Sequence, residues 1–231
     1  MIDYVKENYG VNESKIYATG FSAGAGMTNT LLAQYPDVFA GGAPMAGIAY
    51  GCSAFDQAGN ARTGAIVETA SFNCMGLSGR SQMGEWPPSV KSMARYQNLL
   101  RTPEMWAHIV KESGPANYSG PYPRVLIWHG SQDTYVAYEQ MTEEMDQWTA
   151  VHGVDQTADN SSKELKKGNS KHVYNEYTNS QGEAVVGTVS LNGMAHGIAI
   201  DPGSADDQGG SKTSGVVPYV YWGLDMDIYS S

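Results

Sequence analysis

Short apolar runs alternate along this chain with polar, glycine-rich turns and with stretches whose apolar residues recur at helical spacing. Lys15-Ile16-Tyr17-Ala18-Thr19 has the β-branched and aromatic content of a strand, and Met27 to Tyr35 reads as a helix. Val125-Leu126-Ile127-Trp128-His129 is a continuous apolar run of the kind buried on both faces of a parallel sheet, and it ends on the polar turn Gly130-Ser131-Gln132-Asp133. Further on, Asn179-Ser180-Gln181-Gly182 is a hairpin signal between Val173-Tyr174-Asn175-Glu176-Tyr177 and the apolar positions Val185, Val186, Val189 and Leu191. Pro103 to Val110 predicts a helix with proline at its start, and Val90, Met93, Ala94, Gln97 and Leu100 share one helical face. Between Ser53 and Gly120 the strand-and-turn rhythm fades, so residues 53–120 read as a cap or insertion region. Strands interleaved with helices predict an α/β fold, and 231 residues predict one domain spanning 1–231.

Between the first strand and its helix stands Gly20-Phe21-Ser22-Ala23-Gly24. A serine hydroxyl is a weak nucleophile until a base takes its proton, and a sharp strand-to-helix turn lifts it clear of the sheet where a histidine can reach it. The glycines on either side predict a turn in which Cβ atoms at both positions would collide. Ser22 is therefore the candidate nucleophile, and the Ala23 N–H, next along the chain, the candidate oxyanion donor. In this elbow arrangement the acid and then the histidine follow the serine. Asp133, in the turn at the end of a buried strand, is the leading acid. His196, in Asn192-Gly193-Met194-Ala195-His196-Gly197 at the end of another, is the leading base.

The other histidines fit less well. His129 lies at a strand-to-turn junction beside the acid and reads as a hydrogen-bonded structural imidazole. His108 falls on a helix face, and His152 and His172 flank a polar loop. Among the acids, Asp201 follows His196 and breaks the order, while Asp56, Asp146 and Asp155 follow no buried strand. Tyr135, two positions past Asp133, is placed to line a substrate pocket.

Ile16 to Met27, Tyr35 to Ala43, Gly120 to Val125 leading into Trp128-His129-Gly130-Ser131-Gln132-Asp133, Gln147 to Val154, and Gly193-Met194-Ala195-His196-Gly197 through Asp201-Pro202-Gly203-Ser204 together resemble the polyhydroxybutyrate depolymerase-like esterases. That group includes extracellular short-chain polyhydroxyalkanoate depolymerases and the feruloyl and acetylxylan esterases of carbohydrate esterase family 1. The resemblance implies an α/β-hydrolase fold, secretion, hydrolysis of polymer-linked esters without a cofactor, and a triad of Ser22, Asp133 and His196. It also implies strands before the nucleophile strand, whereas only Met1 to Ser14 precede Lys15 here. A fold lacking those N-terminal strands would also lack the loop that carries the second oxyanion donor, a loss worth roughly 10² to 10³ in turnover. It would expose a sheet edge open to self-association. A non-catalytic fragment that keeps the fold is the alternative of another class.

Composition narrows the partners. Fourteen Lys and Arg against 24 Asp and Glu give a net charge of −10, which disfavours nucleic acid, and no apolar run is long enough to span a membrane. Cys52 and Cys74 are the two cysteines, and their even number in loop-like sequence favours one disulfide in an oxidising compartment over two free thiols. The acidic run Asp201 to Asp207 does not have the spacing of a calcium loop, so no metal site is expected.

Overall fold

The computed structural model describes residues 1–55, 74–75, 101–133, 135–162 and 172–198. Their strands are β1 (Tyr17–Phe21), β2 (Gly41–Met45), β3 (Arg124–Gly130), β4 (Asn160–Ser162), β5 (Val173–Thr178) and β6 (Ala184–Leu191), and their helices α1 (Ile2–Asn8), α2 (Ala23–Gln34), α3 (Pro103–Ser113) and α4 (Glu139–His152). The strands form one sheet in the order β1-β2-β3-β6-β5-β4. Pairings from β1 across to β6 are parallel, and β5 and β4 continue antiparallel. Consecutive β3 residues alternate between two cores. Val125 and Ile127 join Leu32, Val110, Met145 and Trp148 on the helical face, and Leu126 and Trp128 join Met45, Val189, Leu191 and Met194 on the other.

Two boundaries are sharper than the sequence pattern predicts. Lys15 closes a short 3₁₀ turn, Glu13–Lys15, whose cap is the Asn12 side chain accepting from the Ser14 N–H. β1 consequently begins at Tyr17 and runs to the residue before Ser22, while α2 begins at the residue after it. β2, Gly-Gly-Ala-Pro-Met, has no strand-like composition, and a proline argues against an interior strand. Its glycines are required by packing: a Cβ at Gly42 would lie 2.6 Å from Leu32 Cδ1, and one at Gly41 2.9 Å from the Arg124 carbonyl oxygen.

α4 buries a polar stripe. Glu143 accepts from the Arg101 N–H (3.0 Å) and Trp106 Nε1 (2.9 Å). Gln147 bonds both backbone groups of Tyr50, at 2.8 and 2.9 Å. Glu144 accepts from Asn29 on α2. Cys52 and Cys74 are joined in a disulfide, with Cα atoms 5.8 Å apart, and pack with Ala49, Trp106 and Ile109. Of the region read as a cap, α3 packs against α4. The helix read between Val90 and Leu100 lies outside the described residues, as do Asp56 and the acidic run from Asp201 to Asp207.

Candidate active site

Ser22 links β1 directly to α2 and adopts φ 56°, ψ −119°. A positive φ at a non-glycine residue costs on the order of 1–3 kcal/mol and is held only where its surroundings insist on it. Here the Ser22 N–H donates to the Met45 carbonyl (2.9 Å), and the Ser22 carbonyl accepts from Ala25 and Gly26 (2.9 and 3.2 Å). A Cβ at Gly20 would run into the Gly24 carbonyl oxygen, whereas one at Gly24 would meet nothing within 4 Å. Contact therefore requires only the first glycine, which corrects the expectation that both relieve a collision. Ala23 is the first residue of α2, so its N–H has no acceptor within the helix, the kind of position from which a helix N-terminus can meet an anion.

Asp133 and His196 come from neighbouring turns that hold each other. The Asp133 N–H closes the turn after β3 onto Gly130 (3.1 Å), and Asp133 Oδ1 accepts from the N–H groups of Tyr135 and Val136 (2.9 Å each). The two turns are joined by Ser131 N–H to the Leu191 carbonyl (3.0 Å), Gln132 N–H to the Met194 carbonyl (2.9 Å) and Gly193 N–H to Ser131 Oγ (2.9 Å). Gly130 permits this approach, since a Cβ there would lie 2.6 Å from the Ala195 carbonyl oxygen and closer still to that of Met194.

The three side chains consequently stand in one row. His196 Nδ1 is 2.7 Å from Asp133 Oδ2, and His196 Nε2 is 2.9 Å from Ser22 Oγ. A carboxylate only accepts, so the imidazole proton belongs on Nδ1 and Nε2 presents its lone pair to the serine. The ring lies between Phe21 and Tyr135, with centroids 4.7 and 5.4 Å away. Burial of the Asp133 carboxyl works against its charge, but His129, His196 and the Val136 N–H outweigh it and hold the carboxyl well below the usual carboxylate range. A carboxylate held charged in this position can orient the imidazole and stabilise its cation, and the imidazole can then take a proton from the serine.

The remaining histidines divide clearly. His108 is exposed on α3. His152, at the end of α4, bonds the Pro123 carbonyl (3.0 Å), and burial pushes its pKa down to about 4. His172 is buried, and its Nδ1 accepts from the Asn192 N–H (3.2 Å), so it props the turn that carries His196. Its position beside a polar loop gave no sign of this. His129 is buried behind Asp133 and bonds the Val136 carbonyl through Nε2 (3.0 Å). Among the described residues no three His, Cys, Asp or Glu side chains cluster as metal ligands would.

A serine on a strained strand-to-helix turn at the carboxyl end of a parallel strand, faced by a histidine and an acid from later strand ends, defines the α/β-hydrolase class. Residues 1–58 match the Prolyl oligopeptidase family. Over its full length the chain is 36% identical to poly(3-hydroxyalkanoate) depolymerase C of Paucimonas lemoignei, spanning 45% of that protein. It is 33% identical, over 85% of its length and 43% of the relative, to an acetylxylan esterase of Coprinopsis cinerea. The solved acetyl xylan esterase from Aspergillus awamori superposes on 85% of this chain and 59% of its own, with a TM-score of 0.60 and 25% identity. The chain belongs to the polyhydroxybutyrate depolymerase-like esterase family, and it spans about half the length of the curated relatives it matches.

Proposed function

We propose that this chain carries the catalytic site of a serine carboxylic-ester hydrolase acting on polymer-linked esters, in the manner of a polyhydroxyalkanoate depolymerase. The observation that carries the reading is the unbroken row from Ser22 Oγ through His196 to Asp133. His196 Nε2 takes the Ser22 proton as Oγ attacks the ester carbonyl, Asp133 steadies the imidazolium, and the Ala23 N–H faces the oxyanion. His196 then protonates the departing alkoxide. A water, deprotonated by the same nitrogen, attacks the acyl-serine, the acyl C–Oγ bond breaks to release the carboxylic acid, and His196 returns the proton to Ser22 Oγ. No step calls for a cofactor. Tyr135 is 44% exposed beside His196 and forms a wall of the acyl site.

The depolymerase reading rests on the likeness over the whole chain, and the likeness to acetylxylan esterases favours a second reading, deacetylation of plant cell-wall polysaccharide. The Cys52–Cys74 bridge supports a secreted protein. On its outer side β1 has no partner strand among the described residues, an edge open to pairing with a further strand of this protein or of a second copy. The deciding experiment offers polyhydroxybutyrate film, acetylated xylan, methyl ferulate and a short nitrophenyl ester to the chain and to its Ser22→Ala variant. Release of hydroxybutyrate that vanishes in the variant supports the first reading, and acetate release from xylan alone supports the second. No Ser22-dependent hydrolysis of any of the four removes both.

A further inference from the structure

His129 lies four residues before Asp133, near the end of β3, with its side chain wholly enclosed. Its Nε2 is 3.0 Å from the Val136 carbonyl oxygen and 3.5 Å from Asp133 Oδ2, the same carboxylate oxygen that His196 Nδ1 approaches to 2.7 Å. A carbonyl oxygen only accepts, so the His129 proton sits on Nε2. Nδ1 has no hydrogen-bond partner among the described residues, consistent with the lone pair lying there. This one buried N–H thus bonds the Val136 carbonyl and stands 3.5 Å from the acid. The loop carrying Val136 supplies the two amides on Asp133 Oδ1, from Tyr135 and Val136, and the Tyr135 ring that packs on His196. The imidazole is itself fixed edge-on to Tyr138, with centroids 6.0 Å apart, and the Tyr138 hydroxyl bonds Ser190 Oγ (2.7 Å). Glu144 of α4 is a further titratable group close enough to interact with it.

We infer that His129 is a positioning residue for the proposed ester hydrolysis, acting through Asp133: its Nε2–H, bonded to the Val136 carbonyl and close to Asp133 Oδ2, keeps the carboxylate where His196 needs it. Asp133 is gripped by two imidazoles, one facing the serine and one facing the core. Without the second, the carboxylate keeps its backbone amides but loses the donor behind Oδ2 and the tie to Val136, and the His196 ring loses its fixed orientation. A displacement of about 1 Å in such a constellation costs up to about 10²-fold in rate.

The inference rests on the esterase reading, so its test includes a signal that does not depend on turnover. In His129→Phe, kcat on a short nitrophenyl ester should fall about tenfold or more with KM little changed. The acid limb of its pH profile should move, and the downfield proton resonance of His196 Nδ1–H should shift or broaden. His129→Gln, which returns an N–H donor at similar reach, should recover most of the loss. A His129→Phe protein of lowered Tm with kcat, pH profile and proton resonance like the parent's overturns the inference, as does a His129→Gln protein no faster than His129→Phe. If His129→Phe does not fold, ¹⁵N-histidine spectra of the unaltered chain decide. A proton on His129 Nε2 upholds the inference, and a proton on Nδ1 overturns it because Nε2 then has nothing to donate. Absence of ester hydrolysis in the unaltered chain would count against the esterase reading alone, since the resonance and tautomer remain measurable.

Discussion

Ser22 is held by its immediate neighbours in sequence, whereas Asp133 and His196 are held by each other's turns. The elbow needs little beyond Gly20, the first turn of α2 and one bond to Met45. The acid and base depend on backbone bonds between residues 130–133 and 191–194, on Gly130, and on two buried histidines, His129 beneath one turn and His172 beneath the other. A local device tolerates change elsewhere and fails abruptly when its own atoms change. A stitched pair of turns degrades by degrees and can be disturbed from a distance.

The largest effects come from the row of side chains itself. His196→Ala and Asp133→Asn should each lower kcat on a soluble ester by about 10⁴-fold, the loss seen when a base is removed or its tautomer is spoiled, with circular dichroism unchanged. Near-parental turnover in either would reassign that role. Glycine substitutions separate the two regions next. Gly20→Ala forces a Cβ into the Gly24 carbonyl and should leave little folded protein, whereas Gly24→Ala, with open space around the new methyl, should change stability by no more than about 1 kcal/mol. Gly130→Ala should fall between them, folding less stably by about 1–3 kcal/mol and losing kcat as the His196 turn is pushed away. Equal behaviour of the two elbow glycines in thermal melts would break the comparison.

The order in which these features could be read from the sequence follows the same division. The elbow, the buried strand β3 and the β5–β6 hairpin each have a local signature, so the pattern Gly20-Phe21-Ser22, the apolar run before His129 and the turn at Gly182 announce them. β2 escaped because Gly41 and Gly42 are set by close approach to Arg124 and Leu32, which no propensity records, and because Pro44 reads against a strand. The polar stripe of α4 escaped for a related reason: Glu143, Glu144 and Gln147 look like solvent-facing residues until Trp106, Asn29 and Tyr50 are brought to them. His172 depends on a partner 20 residues away. Gly24 erred the other way, since its place in the motif suggested a collision that its surroundings do not contain.

Smaller effects test the scaffold behind both regions. Replacing Cys52 and Cys74 by serine reopens a link between residues 22 apart and should lower stability by about 3 kcal/mol on the chain-entropy account, read from denaturant midpoints. Two thiols titrating per chain in denaturant without reductant would instead mean that the bridge does not form. The Glu144 carboxyl is fully buried, and burial, only partly offset by His129 and Asn29, raises its pKa from 4.5 to about 7. A raised folded pKa favours the protonated form, so its contribution is complete below the ordinary value of 4.5 and is lost as pH rises through about 7. Glu144→Gln keeps the shape without the ionisation. Its Tm should fall less than the parent's between pH 5 and pH 8, and parallel pH curves would show that Glu144 does not titrate there.

The central claim, that the elbow presents Ser22 to His196 as a nucleophile, is met most directly by labelling with a fluorophosphonate and locating the adduct by mass spectrometry. The account predicts a single adduct on Ser22, slowed severely in His196→Ala and absent in Ser22→Ala. An adduct on another serine, or equal labelling of the Ser22→Ala chain, would contradict it.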